Sequence, residues 1–463
     1  MSDTPSNTFL DGPLGLTYAR TALPVIFVMA MNGVLAVTDA LFLGYYAGPR
    51  ALAAVTLMFP AYMLIVVLST LVSGGMSSLL ARHLGGGRTA EARAVFAGAH
   101  GLAAAAGGLL IALFLLGGRD VALLAAGGSV GLAQLGLTYL RITVFFSPLL
   151  FVLAVNSDAL RNEGRAGLMA AMSLLVSLAN IGFNYVLIAR FGLGVAGSAF
   201  GTAAAQALAF AIILGFRLRG RTVLRPSALL QHRLNTDWRQ MLALGAPQSL
   251  NFAGLALGSA AIIAALQWVQ APAYETTVSA YGIITRVLTF AFLPLLGLSH
   301  AMQSITGNNC GAGNWPRAAA SLRFAVGAAL LYCLAVQLLL TGFAARIGGM
   351  FVEDAAVAAE VARILPVMVT MFFAAGPLMM IAMHFQAIGD AGRAALLGLS
   401  KPYLFSLPLT FALAATFGEA GIWAAGPLAE LALLMLTAAV LAQAARGRPL
   451  KRGLYRAAAE DRL

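Results

Sequence analysis

Apolar runs of some 20 residues recur along nearly the whole of this 463-residue chain, and no other feature restricts its fold so tightly. Each run is long enough to cross about 30 Å of hydrocarbon as an α-helix. Only 10% of the residues are charged and 60% are hydrophobic, whereas soluble domains carry about 25% charged residues. A water-soluble chain of this length would need far more charge on its surface. A β-barrel is excluded, because its strands would be short and would alternate in polarity.

The runs, read between polar or Gly/Pro breaks, fall at 22–46, 52–78, 94–117, 134–158, 167–189, 195–216, 241–268, 278–306, 319–342, 361–386, 395–416 and 421–445. They predict an all-α polytopic membrane protein with twelve transmembrane helices. The net charge of +12 sits in short clusters between or beyond the spans, such as ARHLGGGRTAEAR at 81–93, RLRGRTVLR at 217–225 and RGRPLKR at 446–452. Basic residues beside membrane helices mark the cytoplasmic side and contact anionic membrane lipids. This pattern argues against nucleic-acid binding. With both termini cytoplasmic, most of the 29 Lys and Arg lie inside; Arg50, Arg119, Arg141, Arg190, Arg346 and Arg363 fall outside, and Arg286 lies within the eighth span. The start MSDTPSNTFLDG is polar and acidic rather than a basic leader. The first long helix is therefore the expected insertion signal.

The chain also repeats itself. GGGRTAEARA at 85–94 pairs with GAGNWPRAAA at 311–320, RNEGRAGLMAAMS at 161–173 with GDAGRAALLGLS at 389–400, and GLGVAGSAFGTAAAQAL at 192–208 with FGEAGIWAAGPLAELAL at 417–433. All three pairs keep the same order and a separation of about half the chain. Six helices per repeat is an even number, so both halves enter the membrane from the same side. Two six-helix bundles follow, as parallel repeats about a pseudo-two-fold along the membrane normal, the arrangement of one class of secondary transporter. The expected divisions are an N-terminal tail (1–20), a first bundle (21–216), a basic linker (217–240), a second bundle (241–445) and a basic tail (446–463). Two bundles facing a central cleft can rock to expose it alternately, which favours a transporter over an enzyme or a receptor.

Three acidic residues lie within or near spans: Asp39, Asp158 and Glu430. Asp39 is the deepest, and a carboxylate at mid-membrane costs roughly 2.5–3.5 kcal/mol on insertion scales. Such a residue is a functional candidate by default, since a desolvated carboxyl can bind and release protons. The alternative is an aspartate that hydrogen-bonds helices together. Glu430 follows Pro427 in the last span, with Arg286 as a candidate buried partner; a structural ion pair is the competing role. Asp158 reads as an interfacial residue near Arg161. Tyr139, Asn156, Asn180, Asn184, Thr202 and Gln206 gather in the fourth to sixth spans. Asn180 and Asn184 are four apart and share one helix face, where their amides can line a hydrated cavity, coordinate an ion or bond across helices.

Cys310 and Cys333 match no metal or redox spacing, and none of the five histidines forms HExxH. Without a Walker loop, a nucleophile elbow or paired catalytic carboxylates, the chain is not expected to be an enzyme and calls for no cofactor. An ion gradient is then the expected energy source, unless a separate ATPase subunit supplies it.

The motifs resemble those of the multidrug and toxic compound extrusion (MATE) transporters over essentially the whole chain. The similar stretches are TDALFLGYYAGPRALAAVTLMFP at 38–60, GGMSSLLARHLGGGR at 74–88, NIGFNYVLIARFGLGVAGSAFGTAAAQ at 180–206, HAMQSITGNNCGAG at 300–313 and FQAIGDAGRAALLGLSKPYLFSLPL at 385–409. The resemblance implies antiport at the bacterial inner membrane, with organic and often cationic substrates leaving as protons or sodium ions enter. It casts Asp39 as the coupling carboxylate, with Tyr139, Asn156, Asn180 and Thr202 around it. In GAPQSLNFAGL at 245–255, Gly254 stands where some relatives have glutamate, which places the chain nearer the DinF-like branch. The family's fifth helix usually carries Asp-Pro where this chain has Asn184 and Tyr185. Asn cannot change charge, so a sodium site here would lose half its negative charge, whereas one protonatable carboxylate still suffices for proton exchange. Proton coupling is therefore favoured, with sodium coupling or a dedicated natural-product exporter as alternatives. A lipid-linked precursor flippase of the same superfamily would be expected to line its cavity with several basic residues. Nothing in the sequence requires more than a monomer.

Overall fold

The computed structural model describes residues 7–220, 222–271 and 273–446. The first six residues and the basic tail from 447, read from the sequence as cytoplasmic, lie outside the described residues.

The apolar runs fold as membrane-length helices. The first half consists of α1 (Leu14–Phe42), α2 (Phe59–Gly85), α3 (Thr89–Ala125), α4 (Val130–Phe145 and Ser147–Asn162), α5 (Ala166–Asn184) and α6 (Gly194–Leu218). The second half consists of α7 (Trp238–Trp268), α8 (Tyr274–Gly311), α9 (Trp315–Gly342), α10 (Ala355–Met368 and Phe372–Ile388), α11 (Ala391–Leu399 and Leu407–Phe417) and α12 (Glu419–Arg446). Among the described residues ten spans are continuous, while α4 and α10 bend by 47° and 50° at their breaks. Each predicted window overlaps one of these twelve; the one at 52–78 begins on a separate short helix, Pro49–Leu57. Side chains such as Leu116 (83% exposed) and Leu331 (71%) point outward. That is favourable only where the surroundings are hydrocarbon.

The repeat is visible in the turns. Gly87 (φ 70°) and Gly313 (φ 71°) close α2 and α8, while Gly164 (φ 78°) and Gly389 (φ 91°) close α4 and α10. At all four the next amide reaches back five residues to a carbonyl: Arg88 to His83 (2.9 Å), Asn314 to Asn309 (2.8 Å), Arg165 to Leu160 (2.8 Å) and Asp390 to Phe385 (2.8 Å). A left-handed residue followed by this bond is the Schellman stop signal, and it selects glycine at these places.

The contacts divide the chain into two compact units. One contains Ala19–Ser249; the other contains Pro13–Tyr18 and the chain from Leu250. The division falls inside α7, beyond the basic 217–240 segment, because that segment is strapped to the first unit. Arg93 Nε donates to Val223 O (3.1 Å) and Trp238 Nε1 to Gly98 O (2.8 Å). Gly98 and Gly101 lie so close to the Thr236 and Leu234 carbonyls that neither has room for a Cβ.

Among the described residues, three π-helical stretches occur: Leu43–Ala47 after α1, Tyr185–Arg190 after α5, and Ser400–Ser406 within α11. Such stretches are often found at functional sites.

Candidate functional site

Asp39 lies four residues before the π-helical end of α1 and is half-buried. Facing it from α5 are Asn180 and Asn184, both fully buried. Their spacing of one helical turn stacks the two amides on one face. Asn184 Nδ2 donates to Asp39 Oδ1 at 2.5 Å. With its amide turned to satisfy both ends, Asn180 donates to the same oxygen at 2.8 Å and accepts from Thr202 Oγ1 of α6 at 2.9 Å. The result is one polar cluster joining α1, α5 and α6. Among the described residues no Lys, Arg or His forms an ion pair with Asp39. Its charge is held by neutral donors alone.

Two details of backbone packing make the cluster possible. The π-helical stretch starts at Tyr185, immediately after Asn184. Gly201 on α6 lies against Asn184 with no space for a side chain. Asn184 Oδ1, pressed against Gly201, is buried without a hydrogen-bond partner.

The other expected residues separate into distinct places. Tyr139 is half-buried and close enough to sense the Asp39 charge. Tyr62 of α2 does the same, and no motif or spacing in the sequence marks it. Gln206 lies one turn beyond Thr202 on α6, and no bond of the Asp39 cluster reaches it. Asn156 does not join the cluster. Its Nδ2 lies 3.1 Å from His100 Nε2, and its carbonyl accepts from Arg217.

Asn156 and His100 belong instead to a buried anchor near the 161–165 turn. There Arg217 pairs with Glu163 (3.0 Å) and donates to Leu224 O (2.8 Å), while Leu224 N donates to the other Glu163 oxygen (3.0 Å). Burial pushes the Glu163 carboxyl up, and the adjacent Arg217 guanidinium pulls it back. Asp158 pairs with Arg161 at 3.1 Å, in keeping with the placement read from the sequence. The Glu163, Arg217 and Leu224 bonds fasten the 217–240 segment to α4.

In the second unit, Glu430 is buried, but its partner is not Arg286, which is exposed on α8. Lys401 forms the ion pair with Glu430. Lys401 and Pro402 both lie in the π-helical stretch Ser400–Ser406, within the eleventh predicted span. Gly254 packs directly on Pro402 and Tyr403.

Comparison with known proteins agrees with this architecture. The MatE family profile matches residues 24–186 and 252–412, one stretch in each half. The FAD transporter of Shewanella oneidensis is 24% identical over 442 residues, covering 91% of this chain and 93% of that protein. The multidrug export protein MepA of Staphylococcus aureus is 22% identical over 447 residues, covering 94% and 96%. A solved structure described as the outward-facing conformation of a multidrug resistance MATE family transporter of the MOP superfamily superposes with a TM-score of 0.86 at 21% identity, covering 99% of this chain and all of that one. That likeness carries the fold, twelve helices in two bundles. With the profile matched over most of its length, the chain belongs to the MatE family and is a multi-pass membrane transporter of the MATE type.

Proposed function

We propose that the protein is a secondary antiporter that exports organic compounds, many of them cationic, across the bacterial inner membrane in exchange for protons, with Asp39 as the coupling group and both termini in the cytoplasm. The observation that carries this reading is a deep carboxylate held by two amides, with no counter-cation among the described residues. Hydrogen bonds to an ionised group are worth about 1.5–3 kcal/mol, against about 0.5–1.5 kcal/mol for neutral pairs. Ionised Asp39 therefore ties α1 firmly to α5. Protonation weakens both bonds and creates an O–H that needs an acceptor. Asn184 Oδ1 is the unused acceptor beside it, and a turn of that amide would offer it. The two protonation states thus favour different arrangements of α1 and α5. A coupling ion has to discriminate between states in this way to drive a transporter.

Two amides and one carboxylate give a sodium ion only one anionic side chain, which supports protons over sodium. A second substrate reading rests on the relative named as a FAD transporter, which makes a large organic anion the alternative cargo. The test uses reconstituted proteoliposomes with a proton or a sodium gradient imposed separately, and ethidium and FAD as probes. The expected result is ethidium transport driven by the proton gradient and abolished in Asp39→Asn. Proton-driven transport that survives in Asp39→Asn would falsify the mechanism. FAD transport without ethidium transport would replace the substrate class.

A further inference from the structure

The second unit contains a buried carboxylate whose counter-ion is part of the chain. Glu430 lies roughly 16 Å along α12 from its start, at mid-membrane depth, and its side chain is 6% exposed. Lys401 reaches it from the π-helical stretch of α11, with its own side chain 33% exposed. That stretch is wedged in place. Gly254 packs on Pro402, and Tyr403 Oη donates to Leu250 O at 2.8 Å. Cys333 of α9 is the third ionisable group beside the pair.

A positive partner holds a carboxylate at this depth ionised and occupies the place a coupling cation would take. The partner here is a primary ammonium on a flexible four-carbon stem. The internal repeat sharpens the point. Laying GVAGSAFGTAAAQ (194–206) on GEAGIWAAGPLAE (418–430) sets Gln206 opposite Glu430. The second unit thus has a charge where the first has a neutral amide, and α7 has no acidic residue corresponding to Asp39 on α1. We infer that Glu430 is a monovalent-cation site permanently filled by the Lys401 ammonium, and that the second unit consequently takes up no coupling ion of its own. With the lysine removed, the site binds a small primary alkylammonium. The binding claim stands on the pair's geometry alone. Its consequence, a single proton exchanged per cycle, rests on the antiport reading above.

The experiment follows thermal unfolding of the full chain in detergent micelles with n-propylammonium chloride as the probe and sodium chloride as the ionic-strength control. Lys401→Ala is expected to lower Tm by roughly 10 °C, and n-propylammonium to restore most of that loss. The wild type and the Lys401→Ala/Glu430→Gln double variant should gain nothing beyond the salt control. Lys401→Met, which refills the volume without the charge, carries the same titration where Lys401→Ala fails to fold. Failure of n-propylammonium to stabilise either variant beyond the wild type overturns the site. Stabilisation of the double variant to the same extent does so too, because the effect would then not need Glu430. In proteoliposomes, Lys401→Met should raise the number of protons exchanged per ethidium from one to two. An unchanged ratio alongside successful rescue by n-propylammonium would overturn the consequence while leaving the cation site standing. Loss of the antiport reading itself shows separately, as absence of proton-driven ethidium transport by the wild type.

Discussion

The two units solve the same problem in opposite ways. Each holds a carboxylate within the membrane, yet Asp39 is met by amides from α5 and Glu430 by an ammonium from α11. Neutral donors stabilise a carboxylate without cancelling its charge, so Asp39 is left able to take a proton. A lysine cancels the charge outright, and Glu430 is already satisfied. Two repeats of one fold can therefore divide the work, with a responsive site in one half and a locked one in the other. The difference comes from a few positions. Asn184 keeps the α5 face uncharged, Lys401 charges the face of α11, and Gly254 leaves α7 without an acid.

This contrast can be attacked from its largest expected effect downward. Replacing Lys401 by alanine leaves a buried, unpaired carboxylate and should cost about 3–5 kcal/mol of stability, read as a fall in Tm. Asn184→Ala removes a hydrogen bond to an ionised group and should cost about 1.5–3 kcal/mol. It should also slow proton-driven export, whereas a stable variant with normal transport would detach Asn184 from the mechanism. Gly201→Ala should destabilise by about 1–3 kcal/mol through overpacking. Because the new methyl displaces Asn184, pairing it with Asn184→Ala should cost less than the sum of the two single changes. Arg286→Ala should stay within about 0.5 kcal/mol of wild type, since the side chain is exposed and Glu430 is paired elsewhere. A large loss at Arg286 would reinstate it as a partner of Glu430.

Much of this was legible before any coordinates. The twelve spans follow from hydrophobic length alone, because backbone in hydrocarbon has few alternatives to a helix. Asp39 stood out because its depth is costly, and Asn180 with Asn184 because i,i+4 spacing sets two amides on one face. Other features escaped for physical reasons. Asn156 has the same chemistry as its neighbours, and only the path of α4 sends it towards His100 and Arg217. The π-helical stretches have no hydrophobic period of their own, so the pairing of Lys401 with Glu430 carries no signal in the sequence. Tyr62 reaches the site from α2, far from Asp39 in the pattern that was read. The strap over 222–238 depends on backbone carbonyls meeting Gly98 and Gly101, which no spacing rule flags.

The central claim is that one proton site responds to substrate, and that it lies in the first unit. Proton release by the purified protein on adding tetraphenylphosphonium in weakly buffered solution tests it most directly. The account predicts release from the wild type and from Glu430→Gln, and none from Asp39→Asn. Undiminished release from Asp39→Asn, or its loss in Glu430→Gln alone, would contradict it.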